Sequence, residues 1–442
     1  MLKYDLLIKD VTLLVMDTAY TVQTHYDIAI QEKKIAALAP TGTLGEAKKV
    51  ISAQGQFALP GLVNTHTHLP MSYFKGTVFA MELFKWLAWG WFYIQRMDLQ
   101  DIYWATKLAC LEMTHAGITT FCDQYFYVDH IAKAVEESGL RGCISEAIME
   151  PAPGMDARLP IDEQLAYAKN VYREWNGKAE GRIQVFYAPH SLYACSSATV
   201  EKILALASEN HTRLHIHLSE TRKEVEDSLQ TWGMTPPERM QQLGALQYPV
   251  IAAHCVHLSD KDIEILDRPS FGVAHNPASN LKLQSGRAPI EKLVNRKMAV
   301  GIGSDGNGSN DTIDILKDVY LTTILHPWKE AQRPAHTALA LATREGARAL
   351  GLENSIGTLE VGKQADIILV KPDQARMIPV HEPHYSLALT SNGSDVTTTV
   401  VDGRVLMENK QILIMNEKEV LQEATERAKR IFAEPYHPQG FD

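Results

Sequence analysis

Two histidines, His66 and His68, close the segment PGLVNTHTH at residues 60–68. On an extended strand, residues i and i+2 point to the same side, so both imidazoles would reach one point in space. Neutral imidazole is a common ligand of zinc and similar metals. A chance His-x-His pair is the alternative, because the chain holds 17 histidines. The motif therefore predicts part of a metal site, and the remaining ligands must come from other segments.

Further polar residues follow other apolar runs: His217 with Glu220 three residues on, then His254, then Asp305. Each alone is also explained by a hydrogen-bonded core histidine or a helix cap. If the runs are the strands of a barrel, however, their carboxyl ends meet at one face. Three imidazoles and one carboxylate are typical of a catalytic zinc or iron site that keeps a position for water.

The elements that would bring these residues together are eight apolar runs that alternate with amphipathic helical patterns. Strands that are apolar on both faces are typical of a buried parallel sheet. The pattern predicts an α/β protein with a (β/α)8 TIM barrel over residues 60–361. The predicted barrel strands are Gly61–His68, Gly117–Asp123, Leu140–Ala147, Arg182–Ala188, Arg213–Leu218, Pro249–His254, Ser270–His275 and Met298–Ser304.

The two flanks of this region have a different pattern, with short alternating strands separated by turns. We expect residues 1–59 and 362–415 to form one small β-sandwich domain that is built from both chain ends. Asp402-Gly403 is a type I′ hairpin signal within it. Residues 416–442 are predicted to be a C-terminal helix and tail, because Glu417–Phe432 has charges along one helical face.

Composition excludes several classes of protein. The net charge of −10 argues against a nucleic-acid partner, which needs a basic surface. The five cysteines are scattered and form no C-x-x-C pair, which suits a reducing compartment. The sequence has neither a signal-peptide core at residues 1–17 nor an apolar run of about 18 residues. We therefore expect a cytoplasmic protein with no membrane partner.

The segments PGLVNTHTH, HIHLSE, IAAHCVH, VAHNPASN and GIGSDG, in this order, resemble the amidohydrolase superfamily. The resemblance covers essentially the whole chain and is strongest to the methylthioadenosine/S-adenosylhomocysteine deaminases, whose relatives include triazine chlorohydrolases and aminohydrolases. It implies one divalent metal ion, zinc or alternatively iron. The residues it assigns are His66, His68, His217 and Asp305 as metal ligands, Glu220 and Asp305 as proton carriers, His254 as a hydrogen-bonding partner of the attacking water, and His190 facing the substrate ring.

The segment 81–96 holds three of the seven tryptophans and is predicted to stack on a flat heterocycle, with Trp89 as its representative. A helix packed on the barrel or at a subunit interface is the alternative. Gln95 stands where related adenosine-type deaminases carry a ribose-binding glutamate. Glu146 stands where an arginine for a substrate carboxylate is expected, and Arg158 matches the second such arginine.

The predicted function is a metal-dependent hydrolytic deaminase that releases ammonia from an aminated N-heterocycle. A 5′-substituted adenosine such as methylthioadenosine is the preferred substrate, and S-adenosylhomocysteine is less favoured because of Glu146. The alternatives are a triazine chlorohydrolase or aminohydrolase, another deaminase of pterin or guanine type, and a non-catalytic scaffold that keeps the metal. We also expect a homo-oligomer, either a dimer or a tetramer.

Overall fold

The computed structural model describes residues 3–78, 81–152, 155–156 and 159–436, whose strands form two separate sheets. In chain order the strands are β1 (Tyr4–Leu14), β2 (Val22–Gln31), β3 (Lys34–Pro40), β4 (Ala47–Ser52), β5 (Phe57–Pro60), β6 (Leu62–Thr67), β7 (Ile118–Tyr125), β8 (Arg141–Ile148), β9 (Ile183–Pro189), β10 (Leu214–Leu218), β11 (Val250–His254), β12 (Phe271–His275), β13 (Ala299–Ile302), β14 (Ile367–Val370), β15 (Val396–Val401), β16 (Arg404–Glu408) and β17 (Gln411–Ile412).

Most helices lie between or directly after the barrel strands, one lies between β14 and β15, and one follows β17. They are α1 (Leu83–Ile94), α2 (Leu99–His115), α3 (Val128–Ser138), α4 (Ile161–Trp175), α5 (Lys178–Gly181), α6 (Ser197–Asn210), α7 (Arg222–Trp232), α8 (Pro236–Gln242), α9 (Asp260–Leu266), α10 (Pro277–Lys282), α11 (Ile290–Asn295), α12 (Asn307–Asn310), α13 (Ile315–Leu325), α14 (Pro334–Leu341), α15 (Arg344–Leu350), α16 (Pro383–Thr390) and α17 (Glu417–Ile431). In the part of the chain that the structure describes, no helix is both long and apolar enough to cross a bilayer.

Strands β6 to β13 form an eight-stranded parallel barrel in chain order. The first and last strands meet through polar contacts: Ser304 N donates to Asn64 Oδ1 at 2.9 Å, and Asp305 N donates to the carbonyl of His66 at 3.0 Å. All eight strands are buried almost throughout, as their apolar sequences predict. The predicted (β/α)8 fold is confirmed.

The amino-terminal end of the barrel is sealed by α15. Val63 N donates to the carbonyl of Ala342 at 2.8 Å, just before this helix. Gly272 in β12 packs directly against α15. A Cβ at this position would be 2.4 Å from the carbonyl oxygen of Ala349, so the contact requires glycine. With this end closed, the carboxyl ends of the strands form the accessible face of the barrel.

The second sheet joins strands from both ends of the chain, in the order β17-β16-β15-β14-β5-β1-β2-β3 with β4 beside β1. Antiparallel pairing of β14 with β5 connects the two ends. Arg141, at the start of barrel strand β8, reaches this sheet and pairs with Asp366 at 3.1 Å and with Asp402 at 2.5 Å. A small β domain from both chain ends is thus present, and the exact domain boundaries stay a prediction.

Helix α17 packs against α2 and the aromatic helix α1. Arg427 and Arg430 bind the buried carboxylate of Asp101. Asp98 and Asp101 also cap the start of α2 with a reciprocal pair of hydrogen bonds. The Phe432 ring lies 4.4 Å from the Tyr93 ring, centroid to centroid. The outer side of α1 is therefore covered by the C-terminal helix.

Candidate active site

Four potential metal ligands face one another at the carboxyl ends of β6, β10 and β13. Asp305 Oδ1 lies 3.3 Å from His66 Nε2 and 3.2 Å from His68 Nε2, and His217 Nε2 lies 3.3 Å from His68 Nε2. All four side chains are largely buried. The barrel thus brings together the four residues that were predicted from the sequence to be metal ligands.

The outward-facing ring nitrogens of these histidines have defined partners. His68 Nδ1 donates to the carbonyl of Gln124 at 2.5 Å, and His217 Nδ1 donates to the carbonyl of His190 at 2.8 Å. Because a carbonyl only accepts, Nδ1 carries a proton in both rings, and Nε2 is the atom that faces the centre. His66 Nδ1 lies 2.8 Å from His215 Nε2, and His66 Nε2 is buried without a hydrogen-bond partner among the described residues.

The protonation states suit a cation. Burial lowers the pKa of His66 to about 4 and lowers that of His217 well below its usual value, so both imidazoles are neutral. Burial alone would also lower the pKa of His68, but the neighbouring Asp305 carboxylate raises it, so a cation bound there would displace a proton from its ring. Burial alone would raise the pKa of Asp305, but the close contacts with His66 at 3.3 Å and His68 at 3.2 Å hold it well below the usual value. Neutral imidazoles and an ionised carboxylate are the forms that bind metal. The residues therefore fit a single divalent metal ion.

Asp305 is further oriented by two hydroxyl groups. Ser279 Oγ donates to Asp305 Oδ2 at 2.6 Å, and Ser309 Oγ donates to the same oxygen at 2.8 Å. These bonds leave Oδ1 directed at the histidines. Asp305 has φ +59°, in the left-handed region that non-glycine residues enter mainly where the surroundings enforce it.

Glu220 and His254 form a second polar pair beside the four donors. His254 Nε2 lies 3.6 Å from Glu220 Oε2, and both side chains are buried. His254 Nδ1 bonds Asn280 Oδ1 at 2.8 Å, so Nε2 faces the cavity. Burial raises the pKa of Glu220, which favours its protonated form. A protonated carboxyl group beside an imidazole is suited to proton transfer at neutral pH.

A residue that the sequence interpretation did not single out, Glu224, holds the backbone of Glu220. Its Oε1 accepts a hydrogen bond from Ser219 N at 2.9 Å and its Oε2 accepts one from Glu220 N at 2.7 Å. Ser219 has φ +49°, so the carboxylate stabilises a strained turn. Burial raises the pKa of Glu224 to about 8. In the sequence, the charged run ETRKEVED is typical of a solvated helix face, so it gave no indication that Glu224 is buried.

We expect Glu224→Gln to lower kcat by about 10- to 100-fold, the usual cost of losing a group that orients a catalytic one. Glutamine keeps the size but has a single carbonyl acceptor, so one of the two backbone bonds is lost and Glu220 shifts. Steady-state kinetics should show a fall in kcat with KM nearly unchanged. The matched control is Glu226→Gln, because Glu226 lies on the same helix and is exposed. Equal kinetics for both variants would contradict the role of Glu224.

The polar groups face a cavity with two adjoining parts. One part is lined by Glu220, His254 and Asp305, among others. The other is lined mostly by apolar side chains that include Met71, Trp86, Trp91, Ile94, Phe126 and Met155. His68, Trp86, Leu87 and His190 border both parts. The site therefore combines a polar reaction centre with an adjoining apolar chamber.

The predicted substrate-binding residues lie in different environments. His190 borders the cavity, and burial lowers its pKa to about 3, so its ring is neutral. Trp89 packs between Phe74 and Tyr93, on the side of α1 that α17 covers, and does not line the cavity. Gln95 is exposed at the end of α1.

Glu146 accepts hydrogen bonds from Tyr127 N at 3.3 Å and from Val128 N at 3.1 Å, at the start of α3. This is the position of a helix-capping carboxylate, although the side chain was predicted to meet the substrate. Arg158 lies outside the described residues. The substrate-binding assignments of these residues stay predictions.

The aromatic residues that do line the cavity are Trp86, Trp91, Tyr125, Phe126 and Tyr193. Two of these belong to the predicted aromatic segment, but the sequence interpretation chose Trp89 instead. The indole nitrogens of Trp86 and Trp91 are buried and have no acceptor among the described residues. Gln124 also borders the cavity beneath His68.

Comparisons with known proteins show which family the chain resembles. The model of the amidohydrolase family matches residues 57–406. A 5-methylthioadenosine/S-adenosylhomocysteine deaminase from Caldanaerobacter subterraneus subsp. tengcongensis is 40% identical over 433 residues, 97% of this chain and 98% of that protein. A zinc-bound adenosine deaminase structure from Xanthomonas campestris has a TM-score of 0.89 at 28% identity, covering 97% of this chain and 99% of that one. A zinc complex of atrazine chlorohydrolase from Arthrobacter aurescens has a TM-score of 0.88 at 25% identity, with 96% and 100% covered.

Proposed function

The chain belongs to the amidohydrolase family, and from that premise we propose that it is a zinc-dependent deaminase of 5′-substituted adenosines, with methylthioadenosine as the preferred substrate. It is a metal-dependent hydrolase that acts on C–N bonds. The proposal rests on the buried pair of Glu220 and His254, which lies in the same cavity as three of the four metal-ligand candidates, His68, His217 and Asp305. This is the arrangement that hydrolytic removal of a ring amine requires.

His66, His68, His217 and Asp305 would hold the metal. When bound, a divalent metal supplies a Lewis acid that lowers the pKa of a water molecule to about 7. His254 Nε2 hydrogen-bonds the attacking water, because its Nδ1 is already engaged by Asn280. Asp305 accepts the proton of that water and transfers it to the departing amine, which leaves as ammonia.

Glu220 acts on the ring. In its protonated form the carboxyl group donates to the ring nitrogen beside the attacked carbon, so negative charge does not accumulate on that nitrogen. When the amine leaves, the hydroxyl group on the attacked carbon becomes a carbonyl and returns its proton to Glu220. The buried environment raises the pKa of Glu220 and so favours the acid form that can donate this proton. Glu224 keeps the turn that carries Glu220 in place.

The cavity supports a small, apolar 5′ substituent. Met71, Ile94, Phe126 and Met155 line the chamber beside the reaction centre, and sulfur-containing and aromatic side chains suit a methylthio group. The zwitterion of S-adenosylhomocysteine needs charged partners instead, whereas the walls of this chamber are mostly apolar. We therefore place methylthioadenosine and other short 5′ derivatives ahead of S-adenosylhomocysteine.

The test is ammonia release from a panel of methylthioadenosine, 5′-deoxyadenosine, adenosine, S-adenosylhomocysteine, guanine, pterins and aminotriazines. We expect the highest kcat/KM with methylthioadenosine, loss of activity with a chelator, and recovery with zinc. Chloride release from a chlorotriazine, with no ammonia from any nucleoside, would instead establish the triazine hydrolase alternative. Metal binding without turnover of any compound would establish a scaffold.

We expect Trp86→Ala to raise the KM for methylthioadenosine by about 10- to 100-fold, because stacking a base on an aromatic ring is worth about 1–3 kcal/mol. Trp86 borders both parts of the cavity. The control is Trp175→Ala at the end of α4, where the side chain is partly buried but lies outside the cavity wall. A KM that stays at the wild-type value in Trp86→Ala would mean that the base binds elsewhere.

We further propose a cytoplasmic homo-oligomer. All five cysteines are free and buried, which suits a reducing compartment. Tyr320 and Ile324 on α13 and Tyr385 and Leu389 on α16 are exposed, and the two helices pack against each other. Such apolar surface supports self-association. Analytical ultracentrifugation that gives the monomer mass at micromolar concentration would contradict it.

A further inference from the structure

A second cluster of metal-binding side chains lies away from the cavity, between α14 and α16. His336, Glu382 and His384 each offer one donor atom, and the three donors lie within 4.8 Å of one another. None of the three lines either part of the cavity. We propose that these residues bind a divalent transition metal in a structural site.

The geometry of the cluster is close to that of a ligand set. Glu382 Oε1 lies 2.7 Å from His384 Nδ1 and 3.8 Å from His336 Nε2. The two imidazole rings are nearly parallel, with centroids 4.4 Å apart and an interplanar angle of 24°. Glu382 is held in place because its other oxygen, Oε2, accepts a hydrogen bond from Tyr385 N at 2.7 Å at the start of α16.

Hydrogen bonding within the cluster leaves buried nitrogens unsatisfied. His384 is 1% exposed, yet its Nε2 has no partner among the described residues, and the same holds for Nδ1 of His336. The 3.8 Å separation of His336 Nε2 from Glu382 is too long for a hydrogen bond. The ring nitrogens that face Glu382 are Nδ1 of His384 and Nε2 of His336, so a cation beside the carboxylate would bind these two atoms. The unpartnered nitrogen of each ring would then carry the ring proton.

The donor set selects the class of metal. Two imidazoles and one carboxylate suit zinc and the neighbouring divalent transition metals, whereas magnesium and calcium prefer oxygen ligands. The ring of Tyr20 stands edge-on to both imidazoles, at 4.9 and 5.8 Å, and closes one side. The side chains of His336 and Glu382 are 12% and 36% exposed, which leaves an entry path and room for a water ligand.

The site would join parts of the chain that are far apart in sequence. His336 lies in the first turn of α14, after the last barrel strand, whereas Glu382 and His384 belong to the segment between β14 and β15 of the second sheet. Tyr20 comes from the connection between β1 and β2. A metal here would fasten this segment onto the barrel and stabilise the folded chain.

The test measures zinc bound per chain in untagged, purified protein after dialysis against micromolar zinc. We expect two equivalents for the wild type and one each for His336→Gln and His384→Gln. His381→Gln, at an exposed neighbouring histidine, should keep two. Asp305→Asn should lose the other equivalent, which separates this site from the cavity. The kcat of the fully loaded His336→Gln variant should equal that of the wild type.

A second readout is thermal stability. Raising zinc from one to two equivalents should increase the Tm of the wild type and leave that of His336→Gln unchanged. His336 lies near the surface, so this variant is the safer one if His384→Gln fails to fold. Binding of a single equivalent by the wild type, or two equivalents in folded His336→Gln, would overturn the proposal.

Discussion

Replacing Glu220 by glutamine is expected to lower kcat by about 10²- to 10⁴-fold, the usual contribution of a general acid–base group. Glutamine keeps the volume and hydrogen-bonding capacity of the buried side chain but carries no transferable proton. The zinc content should stay at the wild-type level, because Glu220 is not one of the four clustered donors. Single-turnover measurement of ammonia release separates this chemical step from product release.

The pH profile gives the same prediction an independent readout. Because burial raises the pKa of Glu220, the wild type should keep its acid form to higher pH than an exposed glutamate and lose activity as pH rises through that pKa. The residual activity of Glu220→Gln should lack this limb. Glu226→Gln on the exposed side of α7 serves as the matched control. Turnover by Glu220→Gln at the wild-type rate would refute the mechanism.

Replacing Asp305 by asparagine is expected to remove both metal and activity. The change deletes the negative charge that faces His66 and His68 at 3.2–3.3 Å. Losing a group that only orients a ligand costs about 10- to 100-fold in metal affinity, so loss of the ligand itself should exceed 100-fold. Competition with a chromogenic chelator measures the affinity, and the ammonia assay measures kcat.

Two further variants calibrate the Asp305 result. Ser279→Ala removes one of the two hydroxyl groups that hold Asp305 Oδ2, and it should weaken zinc by the smaller, 10- to 100-fold amount. Asp260→Asn changes an exposed aspartate on α9 and should leave both quantities unchanged. Tight zinc binding by Asp305→Asn would show that this carboxylate is not a ligand.

The barrel was predictable from sequence because its determinants are local. Each strand is an apolar run, and each proposed ligand follows such a run directly, so a barrel topology suffices to gather His66, His217 and Asp305. The residues that contact and orient the proposed ligands were harder to predict from the sequence. His215 lies on the same strand face as His217, but the sequence cannot show that it sits deeper and supports His66.

Contacts between distant parts of the chain determine which side chains point into the cavity, and the sequence alone does not predict these contacts. The aromatic helix α1 has tryptophans on several faces. Phe432, more than 300 residues away in the sequence, packs against the face that carries Trp89, whereas Trp86 lines the cavity. Likewise, Glu224 is four residues from Glu220 in a strongly charged stretch, and only the turn at Ser219 reveals that its carboxylate points inside.

We expect the buried ion pair of Arg141 with Asp366 and Asp402 to couple unfolding of the barrel to unfolding of the second sheet. Arg141 starts a barrel strand and is 6% exposed, while both carboxylates belong to the second sheet. Separating the two parts would leave these charges without partners in a poorly hydrated region, and breaking a buried pair typically costs about 3–5 kcal/mol. Barrel and sheet should therefore melt as one calorimetric unit, so a stabilising change in either part protects the whole enzyme against heat.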